Sequence, residues 1–448
     1  MREGSLGAPT RNPIDWRNPS FVDEADLDLE MRRQFEICHG CRRCFNLCES
    51  FPRLFDLIDE KEEEELEGVA SSDFKKVVDA CTLCDMCYLT KCPYVPPHEF
   101  NIDFPHLMLR YRAFEKSKSK IKFFDQQITE IDRNAKVISS YFSKIVNWLT
   151  DKKNLLMRTL IQYMVGIDKN VELPKFNSSS FLKQSKKQKI NINITAPAYG
   201  KKAIVFATCF VNYNEPSIGK SALEVLAFNG IETNTVYPRC CGMPQLEQGD
   251  IKRVASNALL TAREMMPFIN DGLPIISLIP SCTLMMKSEW PLILPENEDI
   301  KKLSKSVFDI SEYIMKLKLE VGLSAGLKPL DESITLHLSC HSRAQNIGSK
   351  GAEMLRMIPD TKVNVVERCS GHGGSWGVKK ENFAGAMKFA KGTIRKINSA
   401  KAKHTCSECP LAAKHLSQGL IESGASNISK EKTLHPIQLF SKAYGLED

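Results

Sequence analysis

Sixteen cysteines stand in this 448-residue sequence, and half of them fall in two short runs near the N-terminus. Cys38, Cys41, Cys44 and Cys48 have the spacing C-x2-C-x2-C-x3-C, and Cys81, Cys84, Cys87 and Cys92 repeat it as C-x2-C-x2-C-x4-C with Pro93 following. Such a run lets a tight loop wrap three thiolates around one cubane while the fourth points away to a second. By that two-cluster logic Cys38, Cys41, Cys44 and Cys92 are expected to hold one [4Fe-4S] cluster, and Cys81, Cys84, Cys87 and Cys48 the other. The first run carries Glu49 where proline is usual, and the second has one extra residue before Cys92. The competing chemistry is a pair of zinc sites. Zinc usually takes its ligands in two-and-two spacing, so three-plus-one groups favour clusters.

The other eight cysteines follow predicted strand ends. Cys209 ends the first strand of one unit, Cys240-Cys241-Gly242 follows the second strand, and Cys282 follows the third. Cys340, Cys369-Ser370-Gly371, and Cys406 with Cys409 take corresponding places in a second unit, at offsets of 131, 129 and 124 residues. In an open parallel sheet, ligands bind beyond the carboxyl ends of the strands, so cysteines from three strand ends can meet at one spot. Any one of them alone reads as a buried core thiol. A repeat of the same placement in both units reads as a metal centre in each, either a further [4Fe-4S] cluster or zinc. His341 and His372 adjoin these cysteines and read as hydrogen-bonding supports rather than ligands.

The elements that must position these thiols follow from periodicity. Leu27, Met31 and Phe35 predict a helix over 23–37 leading into the first run, and Phe74, Val77 and Val78, with Ser72 as cap, predict another in the insert. The acidic run Glu62 to Glu65 reads as a solvated face. Between 121 and 165, Phe124, Ile128, Ile131, Ile138, Tyr141, Ile145, Trp148, Leu156, Leu160 and Met164 recur at helical spacing. They predict amphipathic connector helices docked on the rest of the protein, with a membrane-lying face as the alternative. The polar segment 177–193 reads as a linker. Beyond it, strands at 203–207, 233–237 and 274–279 alternate with helices at 220–228 and 251–269. Strands at 334–338, 363–367 and 403–405, with helices at 351–358 and 384–397, repeat the order. Such alternation predicts an α/β class with parallel sheets and covering helices. The expected division is a flexible arm at 1–22, an all-helical cluster domain at 23–112, a helical connector at 113–185, and two Rossmann-like α/β units at 186–325 and 326–448.

Composition narrows the function classes. Hydrophobic residues make up 42% and charged residues 26%, as in ordinary globular proteins. The first twenty residues lack an apolar signal core, and no window nears 18 uninterrupted apolar residues, so a cytoplasmic protein with at most peripheral contact on the inner face of a membrane is expected. The formal charge of +7 suggests an anionic partner. However, each four-thiolate cubane contributes about -2, and four such centres would bring the sum near -1, so nucleic acid is not expected. Gly371 to Gly377 does not fit a dinucleotide-binding GxGxxG, and no Walker motif or Ser-His-Asp grouping stands out.

The patterns C-x30-CCG-x39-C-x-x-M and C-x28-CSG-x34-C-x-x-C resemble the tandem cysteine-rich, or CCG, domains of the B and D subunits of heterodisulfide reductase. Cys209-Phe-Val-Asn-Tyr-Asn, Cys240-Cys-Gly-Met-Pro, Trp376-Gly-Val-Lys-Lys-Glu-Asn, His435-Pro-Ile, Gly166-Ile-Asp and Leu173-Pro are similar to the family of the anaerobic glycerol-3-phosphate dehydrogenase C subunit. The resemblance runs from about Cys38 to the C-terminus. It implies a helical dicluster ferredoxin-type domain followed by two CCG units, acting as the electron-transfer component of an oxidoreductase. It also implies a flavoprotein dehydrogenase or another redox protein, such as a rubrerythrin-like diiron protein, as partner, and quinone as an acceptor. In that family the full motif supplies five thiolates to a noncubane cluster. Here Met285 and Ser370 take the place of one cysteine each. Disulfide reduction at a CCG cluster, or a CCG half holding structural zinc as an interaction module, are the alternative functions.

Overall fold

The computed structural model describes residues 9–61, 65–118, 126–127, 129–330, 333–424 and 433–446. Glu62 to Glu64 of the acidic run, and Phe124 and Ile128 of the connector series, lie outside the described residues. The N-terminal part is helical. It comprises α1 (Glu24–Cys41), α2 (Ser50–Asp59), α3 (Phe74–Ala80), α4 (Met86–Thr90) and α5 (Phe104–Ser117). α1 starts where the Asp23 carboxylate accepts the Asp26 N–H at 2.9 Å, and it buries Leu27, Met31 and Phe35. Phe35 meets Phe74 edge to face, and Phe51 of α2 stacks on Phe104 of α5, so the expected apolar periodicities converge in one core.

The C-terminal half holds two parallel sheets. β1 (Lys202–Phe206), β2 (Glu232–Val236), β3 (Ile275–Ser277) and β4 (Val307–Asp309) pair in the order β2-β1-β3-β4. β5 (Ile334–His337), β6 (Val363–Val366) and β7 (His404–Ser407) repeat the first three as β6-β5-β7. The predicted strands are all present, shifted by at most two residues at their ends, and the mixed helix and parallel-strand content is that of the α/β class. β4 has no counterpart in the sequence reading, because its three residues precede the helix Ile310–Glu320 without a break. The main core is continuous from Leu27 through β1 to Phe440, so the helical part and the sheets share buried contacts.

Three expectations about the connecting segments are corrected. Residues 9–22 are not a free arm: Ile14 N–H donates to Leu292 O at 2.8 Å, and the Trp16 indole donates to Ile293 O at 2.8 Å. The segment 177–193 contains the helix Phe181–Lys187, whose Phe181 ring lies where a side chain on Gly219 would have to be. The connector consists of the helices Ile131–Val137, Ser143–Leu149 and Leu155–Val165 with a π-helical turn at Ile138–Phe142. Its apolar residues do not dock as expected. Tyr141, Ile145, Trp148, Leu155, Leu156, Leu160, Tyr163 and Met164 are exposed, while Arg158 is buried. The reason lies in the backbone: the Arg158 guanidinium donates to the carbonyls of Thr150, Asp168 and Val171, which turns the polar side inward.

Candidate metal centres

Cys38 and Cys41 lie on the last turn of α1, and Arg42 then takes a left-handed conformation that reverses the chain toward Cys44. Cys92 arrives from the other run just after α4, its N–H bonded to Cys87 O at 2.8 Å. Cys38, Cys41, Cys44 and Cys92 line one pocket with Ile37, Phe51 and Ile102. Burial, then the neighbouring Cys92, Cys44 and Cys41, hold the Cys38 thiol far above its ordinary value. Burial also pushes Cys44 up to about 12 and Cys92 up to about 11. In the same way Cys48 is raised by burial and by Cys84 and Cys81, and burial raises Cys81 to about 11. Cys87, also raised mainly by burial, faces Cys84, Cys81, Cys44 and Cys48. Crowded, desolvated thiols of this kind ionise only beside a strongly positive centre, and iron supplies one. The donor set therefore fits iron-sulfur cores, and Cys38, Cys41, Cys44 and Cys92, with Cys48, Cys81, Cys84 and Cys87, are the residues that would hold them.

In the first α/β unit, Thr208 caps the short helix Cys209–Tyr213, which sets Cys209 at its first turn. Cys240 and Cys241 follow β2, and the Cys240 and Cys209 sulfurs lie 3.9 Å apart. Cys241 perturbs and is perturbed by Cys240 and Cys282, which links the thiols of this unit in sequence from Cys209 to Cys282. Hydrogen bonds from Cys209 and Cys241 lower the Cys240 thiol, while the Cys209 and Cys241 thiols are raised. The Trp290 indole donates to Cys241 O at 3.0 Å. Asp132 of the connector accepts the Cys240 N–H at 2.5 Å, a support that no sequence motif announced.

The second unit departs from the first. Ser339 caps the helix Cys340–Ala344 as Thr208 does, and Cys340 stands three residues after His337 as Cys209 does after Phe206. The third strands give a register the sequence pattern missed. Ser277 pairs with Phe206 and Ser407 with His337, and each is followed three residues later by a proline, Pro280 or Pro410, that opens a helix. By this register Cys409 corresponds to Ile279, and Cys282 to Ala412. Ile279, not Met285, thus occupies the vacant cysteine place of the first unit. Cys406 sits fully buried within β7 opposite Leu336, and burial, then Glu408, raise its thiol. Cys409 faces Cys282 of the first unit. Cys340 instead contacts Cys369 and, across the junction, Cys84 of the N-terminal part. Hydrogen bonding from Cys340 lowers the Cys369 thiol to about 7.

The histidines divide. His341 is hydrogen-bonded to the Leu83 backbone, a supporting contact. His372 lies 5.9 Å from His415 ring to ring, and its Nε2 has no partner among the described residues. A second set of residues escaped sequence reasoning altogether. The Arg11 guanidinium bonds Asp85 and Asp103 at 2.8–3.0 Å and Glu289 at 3.2 Å, and His106 lies 3.2 Å from both Asp103 and Glu289. These five groups join the N-terminal segment, the cluster-bearing helices and the first α/β unit beside Cys84. Their separations of up to 278 positions leave no local signal.

Parts of the chain are similar to known proteins. The cysteine-rich domain model, CCG, matches residues 203–287 and again 334–415. The C subunit of anaerobic glycerol-3-phosphate dehydrogenase from Escherichia coli (strain K12) is 27% identical over 275 residues, 61% of this chain and 67% of that protein. The B subunit of the CoM/CoB fumarate reductase of Methanothermobacter marburgensis is 24% identical over 250 residues, 55% of this chain and 47% of its own length. An uncharacterised iron-sulfur protein of Methanococcus maripaludis is 27% identical over 262 residues, covering 57% and 47%. Two units with one strand order, first cysteines on equally capped helices and two matched copies of one model lead to one assignment: residues 203–287 and 334–415 are two cysteine-rich CCG domains.

Proposed function

We propose that the protein relays single electrons, through two [4Fe-4S] clusters in residues 23–112 and the CCG centres, between a flavoprotein dehydrogenase and an acceptor such as quinone. The observation that carries this reading is the crowding of the N-terminal thiols, six of them held above their ordinary values by burial, in two sets that meet at Cys44 and Cys87, with Cys84 of the second set beside Cys340. Electrons entering at one set then have a short path to the second CCG unit. Cys38, Cys41, Cys44 and Cys92 would hold one cluster, and Cys48, Cys81, Cys84 and Cys87 the other. Cys209, Cys240, Cys241 and Cys282 would hold a centre in the first CCG unit. Three-plus-one spacing in both N-terminal runs favours polynuclear cores over zinc there. The dehydrogenase is inferred from the name of the Escherichia coli relative, and a rubrerythrin-like protein is a further redox partner to be tried. Anaerobic reconstitution with iron and sulfide, iron counting and EPR during reductive titration are expected to show two reducible cubanes. Protein that takes up zinc and no iron would overturn the relay.

The connector supports a second element of the proposal, contact with an anionic lipid surface where quinone is dissolved. Trp148 is 63% exposed, Leu156 75% and Tyr163 87%, and Lys144 and Lys153 stand exposed beside them. Aromatic and leucine side chains with flanking lysines suit an interfacial helix. Among the described residues no helix is long and apolar enough to cross a membrane.

A further inference from the structure

The first α/β sheet ends on an open strand. β2 stands at the edge of the order β2-β1-β3-β4, and its register with β1 settles which of its backbone groups are free. The Glu232 N–H donates to Lys201 O at 3.0 Å, and Val236 O accepts the Ala207 N–H at 2.9 Å. Alternate residues of a parallel strand bond the same neighbour, so Glu232, Asn234 and Val236 turn their peptide groups to β1. Thr233 and Thr235 turn theirs away from the sheet.

The segment 188–192, which belongs to no strand, runs beside this edge. A cleft of about 230 Å³ lies between them, walled by Ile190, Ile192 and Leu223 and by Thr233 and Thr235. Among the described residues no backbone hydrogen bond joins the segment to β2. β2 itself carries neither the proline nor the lysine that often blunts an exposed edge. The free charge around the cleft has one sign. Lys186 lines it, Lys183, Lys187 and Lys189 are exposed next to it along the chain, and none of the four has an ion-pair partner among the described residues. The nearby acids are already matched. Lys202 lies 3.1 Å from Glu232, and Glu224 takes Lys220 at 3.6 Å and the Gln188 amide at 3.1 Å.

We propose that this cleft binds an extended, acidic segment of a partner protein, which joins the sheet as a strand beside β2. The peptide groups of Thr233 and Thr235 pair with it, its alternate apolar side chains enter against Ile190, Ile192 and Leu223, and its carboxylates meet the lysines. A second copy of this chain is the poorer occupant, because pairing β2 with β2 sets the same four lysines against their own copies. No cysteine lines the cleft, so the site stands apart from the relay reading.

Fluorescence anisotropy with the full-length protein tests it. The probe is a labelled nine-residue peptide in which glutamate alternates with valine. It is read beside a peptide with lysine in place of glutamate and beside the parent N-methylated at every amide, which keeps the charge and removes the strand's donors. The parent is expected to bind saturably. Binding is expected to weaken at least roughly tenfold for each altered peptide, and for the parent on protein carrying Lys186→Glu with Lys189→Glu. Thr235→Pro removes a donor that faces away from β1, and is expected to weaken the parent as much with iron per chain unchanged. If that variant fails to fold, the lysine pair and the N-methylated peptide still decide. Absence of saturable binding, or equal binding of the lysine peptide, would overturn the site. Equal binding of the N-methylated peptide would reduce it to charge attraction without strand pairing and overturn it as well. Self-association of the chain without peptide binding would give the edge to a second copy and reject the partner strand.

Discussion

Burial disfavours Cys38, Cys44, Cys48, Cys81, Cys87 and Cys92 as isolated thiolates, and the metal they would hold explains their crowding. Cys92 is informative because it is distant in sequence from Cys38 yet raises it more than any other neighbouring thiol. Cys92→Ser is expected to remove about four irons and one of the two cubane EPR signals, with the other unchanged. Loss of both signals, or of neither, would reject the crossed pairing. His106 gives a pH prediction of a different kind. Burial and the facing Arg11 oppose its charge, but Asp103 and Glu289 outweigh them and raise its value to about 9. A histidine raised on folding stabilises fully below its unfolded value near 6.5 and loses that contribution as pH rises through 9, about 3 kcal/mol across the window. The denaturant midpoint of the wild type is therefore expected to fall between about pH 6 and pH 9.5 by more than that of His106→Gln. Equal slopes would place the buried charge elsewhere.

At the scale of elements, the helix Leu155–Val165 inverts the usual arrangement. Its buried residue is Arg158, and its leucines, Tyr163 and Met164 face water. Each exposed side chain of this size gives up about 1.5–3 kcal/mol that burial would return, so a face of them is retained where a partner covers it. A triple change, Trp148→Lys, Leu156→Lys and Tyr163→Lys, is expected to leave thermal stability within about 0.5 kcal/mol per site, since nothing buried is touched. Sedimentation with vesicles of anionic lipid is expected to fall at least roughly tenfold. Binding that survives the change would remove the connector from the lipid reading. Exposed and buried faces of this segment carry the same periodicity, so only the backbone acceptors around Arg158 determine which side turns inward.

Across the whole molecule, the N-terminal segment, the cluster helices and the first CCG unit are clamped by the Arg11 network and by Arg112, which donates to the carbonyls of Val78, Cys81 and Glu247. A rigid junction of this kind holds Cys84 against Cys340, which a relay requires. Iron removal is expected to undo it: with the cores gone, the crowded thiols lose their cations and the formal charge returns to +7. Anaerobic chelation is expected to lower the melting temperature by more than about 10 °C. It is also expected to expose the Lys379–Lys380 loop to trypsin, because that loop packs on the connector rather than on the sheets. An apoprotein that melts with the holoprotein would show that the clusters do not stabilise the fold.

What the sequence by itself determined was local. Cysteine spacing within a loop reports how many thiolates can surround one core, and strand-helix alternation reports a parallel sheet, because both depend on neighbours a few residues apart. The two three-plus-one runs and the doubled α/β unit were legible for that reason. What only the tertiary structure decided was which distant residues meet. The register of β3 and β7 moved the vacant place from Met285 to Ile279 and set Cys406 inside β7, all four of whose residues are buried. Arg11 reaches Asp85 across 74 positions and Glu289 across 278, Asp132 reaches Cys240 across 108, and Cys84 meets Cys340 across most of the chain. Pair contacts at such separations follow from how whole layers pack, and spacing along the chain carries no record of that packing.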